Sequence, residues 1–462
     1  MLFSSVTFLF VFLPIVLLVY YICPRKAKNY ILLIASLLFY AWGEPKYIFI
    51  MLISIFIGYI SGILINLFRI KEKNGFAKLT VIISCILCIL FLFFFKYFDF
   101  FITNINAVAK TEIKLLKLAL PLGISFYTFQ ILSYTVDVYN KKVDVQKNII
   151  DLATYITFFP QLIAGPIVRY NTVWNELENR KENFDDFGEG VRRFVIGLGK
   201  KIIIANTVGE MFNSFKVLAG DEKTVLLTWM ASIAFTIQIY FDFSGYSDMA
   251  IGLGRMFGFH FMENFDYPYI SKSITEFWRR WHISLSTWFK DYVYIPLGGN
   301  RRSNIITVRN MFIVWTLTGF WHGAKWNYII WGIYYFILLV FEKNILKNFI
   351  DKIPNWLSHI YALFFINIGW VIFSHEDINE LIYTLKSMFG LEGIPLCNDL
   401  TLYNLISYGI IMVISFVLAT PIVSKLMNKV KWLELAFVFV ILVLSTAYLA
   451  AEGFNPFLYF RF

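Results

Sequence analysis

Charged residues are scarce in this chain. Only 16% of its 462 residues are Asp, Glu, Lys or Arg, while 58% are hydrophobic and the mean hydropathy is +0.65. A soluble domain carries about a quarter charged residues, so this scarcity excludes an ordinary soluble protein. The apolar residues occur in blocks rather than in alternation, which excludes a membrane β-barrel. Blocks of this kind lie at residues 2–22, 47–68, 80–95, 402–420 and 433–450.

Blocks of this length suffice, or nearly so, for a helix to cross a hydrocarbon core about 30 Å thick. Because lipid offers no hydrogen-bond partners, a helix is the structure in which such a segment satisfies its own backbone. The sequence therefore predicts an all-α polytopic membrane protein with about ten to twelve transmembrane helices, plus re-entrant and interfacial helices. We expect one membrane domain over 1–462, with N-terminal helices at 1–112, a catalytic core at 113–335 and C-terminal helices at 336–462.

Cysteine is also rare, with four residues scattered along the chain. Cys85 and Cys88 form a CxxC pattern, but they lie inside an apolar block, where they are neighbours on one helix. Small apolar packing residues are the simplest interpretation. The sequence therefore predicts neither a disulfide framework nor a metal site.

The first apolar block lacks the features of a cleavable signal peptide. No basic residue precedes it, the block is too long, and Pro24, Arg25 and Lys26 follow it instead of a small-residue cleavage site. The net charge of +10 comes from Lys and Arg residues in short loops after alternate blocks. This pattern predicts a multi-pass protein of the cell (plasma or inner) membrane, surrounded by lipid, with an extracytoplasmic N-terminus. It gives no reason to expect nucleic-acid binding.

Polar chemistry concentrates in the middle of the chain. From residue 120 to residue 331 the apolar segments are interrupted by prolines, glycines and polar residues. Broken helices occur at membrane depth only where they are buried in protein or line a wet cavity, so we expect the functional site here. Pro160 and Pro166 prevent one continuous helix over 150–170 and favour a re-entrant hairpin.

His322 ends the apolar block at 311–321. An ionisable residue at membrane depth is a functional-site hypothesis by default. Burial disfavours the imidazolium form, which would leave a neutral ring able to accept a proton from a hydroxyl nucleophile. The alternative is a buried histidine that is hydrogen-bonded for packing.

His282 lies in a tryptophan-rich segment with basic flanks. On one continuous helix Trp278, Trp281, Leu285 and Trp288 share a face. Such a helix is typical of the lipid headgroup interface. The alternative is a helix that enters the protein and presents His282 to the same cavity as His322.

Asp242 and Asp248 follow an apolar block and flank a predicted helix break at Gly245. Two carboxylates at membrane depth can bind a cation or couple to protons, as in an ion-coupled transporter. More often such residues cap a broken helix and pair with nearby arginines. No nucleophile elbow or Walker motif is present.

Seven ordered motifs run through the chain. WRRWH at 278–282, YIPLGGN at 294–300 and TGFWHG at 318–323 include the two histidines. PLGISF at 121–126, FPQLIAGP at 159–166, FDFSGYSD at 241–248 and NPFLYFRF at 455–462 accompany them. Together they resemble the membrane-bound O-acyltransferase family, in particular its alginate O-acetyltransferase branch, over essentially the whole chain.

The resemblance implies a ring of helices around a thin centre with a tunnel, in which His322 is the catalytic histidine. His282 would hold the acyl carbonyl or a second proton. An acetyl group would pass from a cytosolic donor, acetyl-CoA, to an extracytoplasmic polysaccharide, either an alginate-like exopolysaccharide or peptidoglycan, with no bound cofactor. An extracytoplasmic SGNH-type esterase-like protein is the expected partner. Candidate contacts for the donor's phosphates are Arg169, Arg279 and Arg280, together with Arg192, Arg193, Lys200 and Arg301.

Two other functions remain open at this point. A sister branch of the same family transfers D-alanine to teichoic acid from a carrier protein. A transporter that uses Asp242 and Asp248 belongs to a different class of protein.

Overall fold

The computed structural model describes residues 1–350, 352–427, 429–452 and 457–458. Every regular element in these ranges is a helix, so the predicted all-α fold class is confirmed. The motif at 455–462 lies outside the described residues, apart from Phe457 and Leu458.

The first half of the chain contains short and long helices in alternation. They are α1 (Leu13–Ile22), α2 (Lys28–Gly43), α3 (Ile48–Ile70), α4 (Asn74–Leu92), α5 (Phe98–Ala109), α6 (Ile124–Tyr139), α7 (Ile149–Thr157), α8 (Phe159–Leu162), α9 (Tyr170–Asn179), α10 (Phe184–Gly199) and α11 (Asn206–Lys216).

The second half begins with the longest helix. Its helices are α12 (Val225–Met256), α13 (Ile274–Arg280), α14 (Ile283–Phe289), α15 (Asn304–His322), α16 (Trp326–Phe341), α17 (Lys347–Ile350), α18 (Asn355–Ser374), α19 (Ile378–Met388), α20 (Asp399–Leu418), α21 (Ile422–Met427) and α22 (Lys431–Glu452). Single turns of π-helix precede α1 and α5 and follow α14 and α16, and a π-helical segment, Lys200–Ala205, joins α10 to α11.

Seven helical segments in the described residues are long and apolar enough to cross a membrane, and Phe8–Ile22 is a shorter apolar helix. This confirms a multi-pass membrane protein. The most apolar window of Val225–Met256 is 72% buried, against 11% in Trp432–Ala451, so α12 packs against protein along most of its length. The seven are Ile48–Ile70, Asn74–Ala109, Val225–Met256, Trp326–Leu346, Asn355–Ser374, Asp399–Leu418 and Trp432–Ala451.

The chain forms two compact units. Unit 1 comprises residues 1–194 and 246–262, and unit 2 comprises residues 195–245 and 263–462. The division predicted from the sequence, at residues 112 and 335, concerns the functional role of each segment and stays a prediction.

Unit 1 is built on α3, α4 and α6, which pack against one another, and on α2, which packs against α7. A Cβ atom on Gly62 would lie 2.6 Å from the Tyr134 hydroxyl, so this glycine allows α3 and α6 to approach closely. As expected from Pro160, no continuous helix spans 150–170: α7 ends at Thr157 and α8 is a single turn.

Unit 2 is built on α11 to α16, α18, α20 and α22. Within unit 2, α15 and α16 meet at two facing glycines. A Cβ on Gly319 would lie 2.3 Å from the Tyr328 carbonyl oxygen, and one on Gly332 would lie 2.4 Å from the Trp315 carbonyl oxygen. No side chain fits at either position, so the backbones pack directly. This contact fixes the end of α15, where His322 lies.

Candidate active site

A small cavity, here called the histidine cavity, lies entirely within unit 2. Its free volume is about 20 Å³, which is room for about one water-sized group. All but two of its lining residues are apolar or aromatic; the exceptions are Asp242 and His322. The lining comprises Ile239, Asp242, Phe243, Trp281, His322, Trp331, Trp370, Phe373 and Leu458.

His322 is the last residue of α15 and is only 7% exposed. The ring centroids of Trp321, Trp331 and Phe373 lie 5.1, 5.1 and 5.4 Å from that of His322, and each ring is close to perpendicular to the imidazole. The helix ends here and Gly323 is extended; a Cβ on Gly323 would lie 2.2 Å from the Tyr328 ring, so no side chain fits at this position. Aromatic rings therefore shield the imidazole from bulk solvent on several sides.

His282 occupies a break between two short helices. α13 ends at Arg280, α14 begins at Ile283, and His282 has a φ of +45°. A left-handed conformation is strained for a histidine and is retained only where the surrounding structure imposes it. The expected continuous helix over 278–288 is therefore wrong. Trp278, Trp281 and Trp288 are each less than a tenth exposed.

Asn264 holds the His282 ring in place. His282 Nδ1 lies 3.0 Å from the Asn264 Oδ1, within hydrogen-bond distance, and the Ser284 hydroxyl donates to the same oxygen over 2.8 Å. The backbone N–H of Ser284 also donates to it, over 3.3 Å. The Asn264 carbonyl accepts the N–H of Ile283 over 2.9 Å. The loop before α13 thus caps α14 and orients the histidine at the same time.

Aromatic rings enclose His282, which is 1% exposed. The centroid of its ring lies 4.7 Å from the ring centroid of Phe243, which lines the histidine cavity. It lies 6.2 Å from the ring centroid of Trp321, the neighbour of His322. Burial alone lowers the pKa of His282 to about 3, because water cannot solvate the imidazolium there. His282 is therefore neutral at physiological pH. The structure places it beside the histidine cavity, but not among the lining residues.

Asp242 is held by a buried ion pair. Lys201 Nζ lies 2.6 Å from Asp242 Oδ1, and both side chains are 3% exposed. The Leu458 N–H donates to the other carboxylate oxygen over 2.8 Å, and the lysine also lies over the Phe457 ring. A Cβ on Gly245 would lie 2.7 Å from the Gly197 carbonyl oxygen, so this glycine lets the segment that carries Lys201 approach α12.

Asp248 belongs to unit 1, where it pairs with Arg193 over 2.9 Å. The two carboxylates are thus engaged in separate ion pairs, as the pairing interpretation expected, although the partner of Asp242 is a lysine. The predicted helix break at Gly245 is wrong, because α12 runs without interruption over Val225–Met256.

The three arginines predicted as donor contacts lie in different settings. Arg280 is paired with Glu276 and Asp266 over 3.0 and 2.8 Å. Arg279 is exposed, next to it in unit 2. Arg169 is half-buried at the start of α9 in unit 1. No group of three His, Cys, Asp or Glu side chains in the described part of the chain could hold a metal ion.

Sequence reasoning did not single out Asn264 or Lys201. A lysine directly before the apolar residues 202–205 is a signal of the kind that marks functional or ion-paired residues in membrane proteins. Asn264 carried no comparable signal, because its role depends on a helix break eighteen residues later in the chain.

Comparison with known proteins assigns this part of the chain to a family. Residues 141–376 match the membrane-bound O-acyltransferase family model, and this segment includes Lys201, Asp242, Asn264, His282 and His322. A "probable alginate O-acetylase" of Pseudomonas aeruginosa is 40% identical over 394 residues, which cover 84% of this chain and 75% of that protein.

Two further relatives are named for other polymers. The peptidoglycan O-acetyltransferase of Helicobacter pylori is 34% identical over 518 aligned positions, covering 100% of this chain and 98% of that protein. The teichoic acid D-alanyltransferase of Bacillus subtilis is 30% identical over 276 residues, covering 56% of this chain and 70% of that protein. The membrane helices, the family match and these similarities lead to one conclusion: the chain belongs to the membrane-bound O-acyltransferase family and is a multi-pass membrane O-acyltransferase.

Proposed function

We propose that this enzyme transfers an acetyl group from cytosolic acetyl-CoA to a hydroxyl group of an extracytoplasmic polysaccharide. The polymer is an alginate-like exopolysaccharide or peptidoglycan, since the relatives that cover most of the chain are named for these acceptors. The observation that carries the proposal is a buried histidine, His322, in a cavity lined by aromatic rings and a single carboxylate.

The proposed chemistry uses His322 as a general base. Its neutral imidazole takes the proton of the acceptor hydroxyl as the oxygen attacks the thioester carbonyl carbon. The new C–O bond forms, the C–S bond breaks, and the departing thiolate receives the proton. Aromatic walls around His322 exclude water, which would otherwise compete with the hydroxyl for the acetyl group.

The small size of the histidine cavity argues against a long acyl group. Free space of about 20 Å³ accommodates a group near the size of one water molecule, and bulky rings surround it. A long acyl chain would require several of these rings to move. The cavity favours acetyl over fatty acyl donors.

Arg279 is better placed than Arg280 as a contact for the donor's phosphates, and Arg301 is exposed in the same way. The Arg279 side chain is exposed, whereas Arg280 is already paired with two carboxylates. An exposed guanidinium can bind a phosphate in a bidentate manner without first breaking an ion pair.

Loss of the base should abolish transfer. We expect His322→Ala and His322→Gln to reduce ester-bound acetate on surface glycans by at least about a hundredfold at equal protein levels, as is typical when a general base is removed. The measurement is acetate released by mild alkali from purified surface glycans. His359→Ala is the matched control, because His359 is a half-buried histidine of α18 that does not line the histidine cavity.

Acetate that persists in both His322 variants would remove this residue from the mechanism. If wild-type cells release D-alanine instead of acetate, the enzyme is a D-alanyltransferase. The partial similarity to the Bacillus subtilis protein makes this the second candidate. The same hydrolysate therefore distinguishes the two functions.

The proposal includes two features of the setting. The enzyme lies in the plasma or inner membrane with its N-terminus outside, because basic residues follow alternate apolar blocks. An extracytoplasmic SGNH-type esterase-like protein is proposed to complete the transfer, as the family resemblance implies, so that a side chain of this partner could be the immediate acyl acceptor.

A further inference from the structure

We infer that Asn264 is a positioning residue that locks His282 as the Nδ1–H tautomer, so that His282 offers substrate a hydrogen-bond acceptor at Nε2. The inference rests on the proposed function for the identity of the substrate, but its structural part stands independently. It also decides between the two roles predicted for His282, holding the acyl carbonyl or holding a proton.

The orientation of the Asn264 amide follows from a backbone group. The Ser284 N–H can only donate, and it lies 3.3 Å from the Asn264 side-chain atom assigned as Oδ1. The atom facing that N–H must therefore be the carbonyl oxygen. An amide flipped by half a turn would place two donors against each other, at a cost of about 1–3 kcal/mol for the buried group left unsatisfied.

The tautomer of His282 follows from the amide. Asn264 Oδ1 is an acceptor, so the ring nitrogen 3.0 Å from it must carry the hydrogen. A neutral imidazole has one protonated nitrogen, which leaves a lone pair on Nε2. Nε2 is buried and has no hydrogen-bond partner among the described residues.

A buried hydrogen-bond acceptor without a donor costs free energy, unless a bound ligand supplies the donor. The strained φ of +45° at His282 indicates that the fold imposes this arrangement. Among the described residues, the side chains that hydrogen-bond to the His282 ring or pack against it include Asn264, Ser284, Phe243, Phe265 and Trp321, and none of these is charged. The ring therefore stays neutral and cannot donate through Nε2.

The tautomer of His282 determines which substrate group its ring can bind. An acyl carbonyl oxygen is itself an acceptor, so His282 in this tautomer cannot hold it. His282 instead accepts a hydrogen bond from an O–H group of the substrate, while His322 takes the proton that is transferred. Asn264 acts only through His282.

The first test is spectroscopic and does not depend on turnover. Full-length protein labelled with ¹⁵N-histidine is studied in lipid bilayers by solid-state NMR, and the His282 signals are assigned by their loss in His282→Gln. We expect a protonated Nδ1 and an unprotonated Nε2 in the wild type. We expect a mixture of tautomers in Asn264→Ala. A protonated Nε2 in the wild-type protein overturns the inference, even if acetyl transfer is confirmed.

The second test uses isolated membranes and radiolabelled acetyl-CoA, with incorporation into polymer as the readout. We expect Asn264→Ala to lose on the order of tenfold or more of the activity, because loss of a tautomer-fixing partner disables a histidine. Asn264→Asp keeps the acceptor oxygen but adds a negative charge, which favours the imidazolium. Its activity should therefore approach the wild-type level above about pH 8 and fall towards pH 6.

Thr287→Ala is the control, because it removes a hydroxyl from the same short helix without touching His282. It should leave both activity and the NMR signals unchanged. A purely structural role for Asn264 predicts instead that Asn264→Asp and Asn264→Ala lose activity equally at every pH, with no change of tautomer, and this outcome would contradict the inference. If wild-type membranes transfer no acetate at all, the proposed function fails while the NMR result still decides the tautomer.

Discussion

At the scale of single residues, the site depends on polar side chains buried among aromatic rings. His282, His322 and Asp242 are each less than a tenth exposed. Burial costs a polar group its hydration, so each survives only with a compensating arrangement. Asp242 has a buried lysine, and His282 has Asn264. A buried ion pair beside the histidine cavity is weak evidence for stability.

The low pKa of His282 makes stability depend on pH. In the unfolded chain this group has its ordinary pKa of 6.5, and in the folded protein burial lowers the pKa to about 3. Between these values the unfolded state binds a proton that the folded state does not, so stability is present above 6.5 and is lost as the pH falls. The loss is about 1.4 kcal/mol per pH unit.

The thermal midpoint of purified protein in detergent measures this effect. Relative to His282→Gln, wild type should lose roughly 2 kcal/mol between about pH 6.5 and pH 5. Two midpoint curves that run parallel over this range would show that His282 is not the group responsible.

At the scale of helices, direct backbone packing between α15 and α16 positions His322. Gly319 and Gly332 leave no room for a side chain on either helix. Small residues at helix contacts are the usual way in which membrane helices approach closely. The end of α15, and with it the imidazole, is therefore held by a contact one turn away from the histidine.

Gly319→Ala tests this packing. The added methyl would meet the Tyr328 carbonyl at 2.3 Å, so the helices must separate. We expect a destabilisation of roughly 1–3 kcal/mol and a loss of activity larger than the loss of folded protein. Gly409→Ala is the matched control, because no atom lies within 4 Å of its added Cβ. Thermal midpoint and ester-bound acetate are measured on both; equal behaviour of the two variants would contradict the packing argument.

At the scale of the whole molecule, basic loops and apolar helices predict the orientation in the membrane. Lys46 and Asn74 are exposed residues beyond the two ends of α3, a helix of 23 residues that is long enough to cross the bilayer. In the proposed orientation, the loop before α3 lies outside and the loop after it lies in the cytosol, as the positive-inside pattern predicts.

Cysteine labelling checks this orientation. In a variant whose four native cysteines are replaced by serine, Lys46→Cys should react with a membrane-impermeant maleimide in intact cells. Asn74→Cys should react only after the membrane is opened. The reverse pattern would place the N-terminus in the cytosol and invert the proposed direction of acetyl transfer.

Much of this protein could be predicted from the sequence. Blocks of apolar residues determine a helical membrane protein, because lipid leaves the backbone no other hydrogen-bond partners. The isolated His322 at the end of such a block marked a candidate site, and the ordered motifs indicated the family. The pairing of Asp242 and Asp248 with basic side chains could be expected, because a lone buried charge is costly.

Tertiary structure alone decided the rest. The pattern of tryptophans over 278–288 fits one helix. The helix is nevertheless interrupted at His282, because Asn264, eighteen residues earlier in the chain, caps a new helix there. Gly245 suggested a helix break, but α12 is continuous there. The missing side chain of Gly245 instead lets the segment that carries Lys201 pack closely against α12. Local sequence determines which elements can form. Where they end, and which polar groups meet inside them, depends on contacts between residues far apart in the chain, and no local pattern records those contacts.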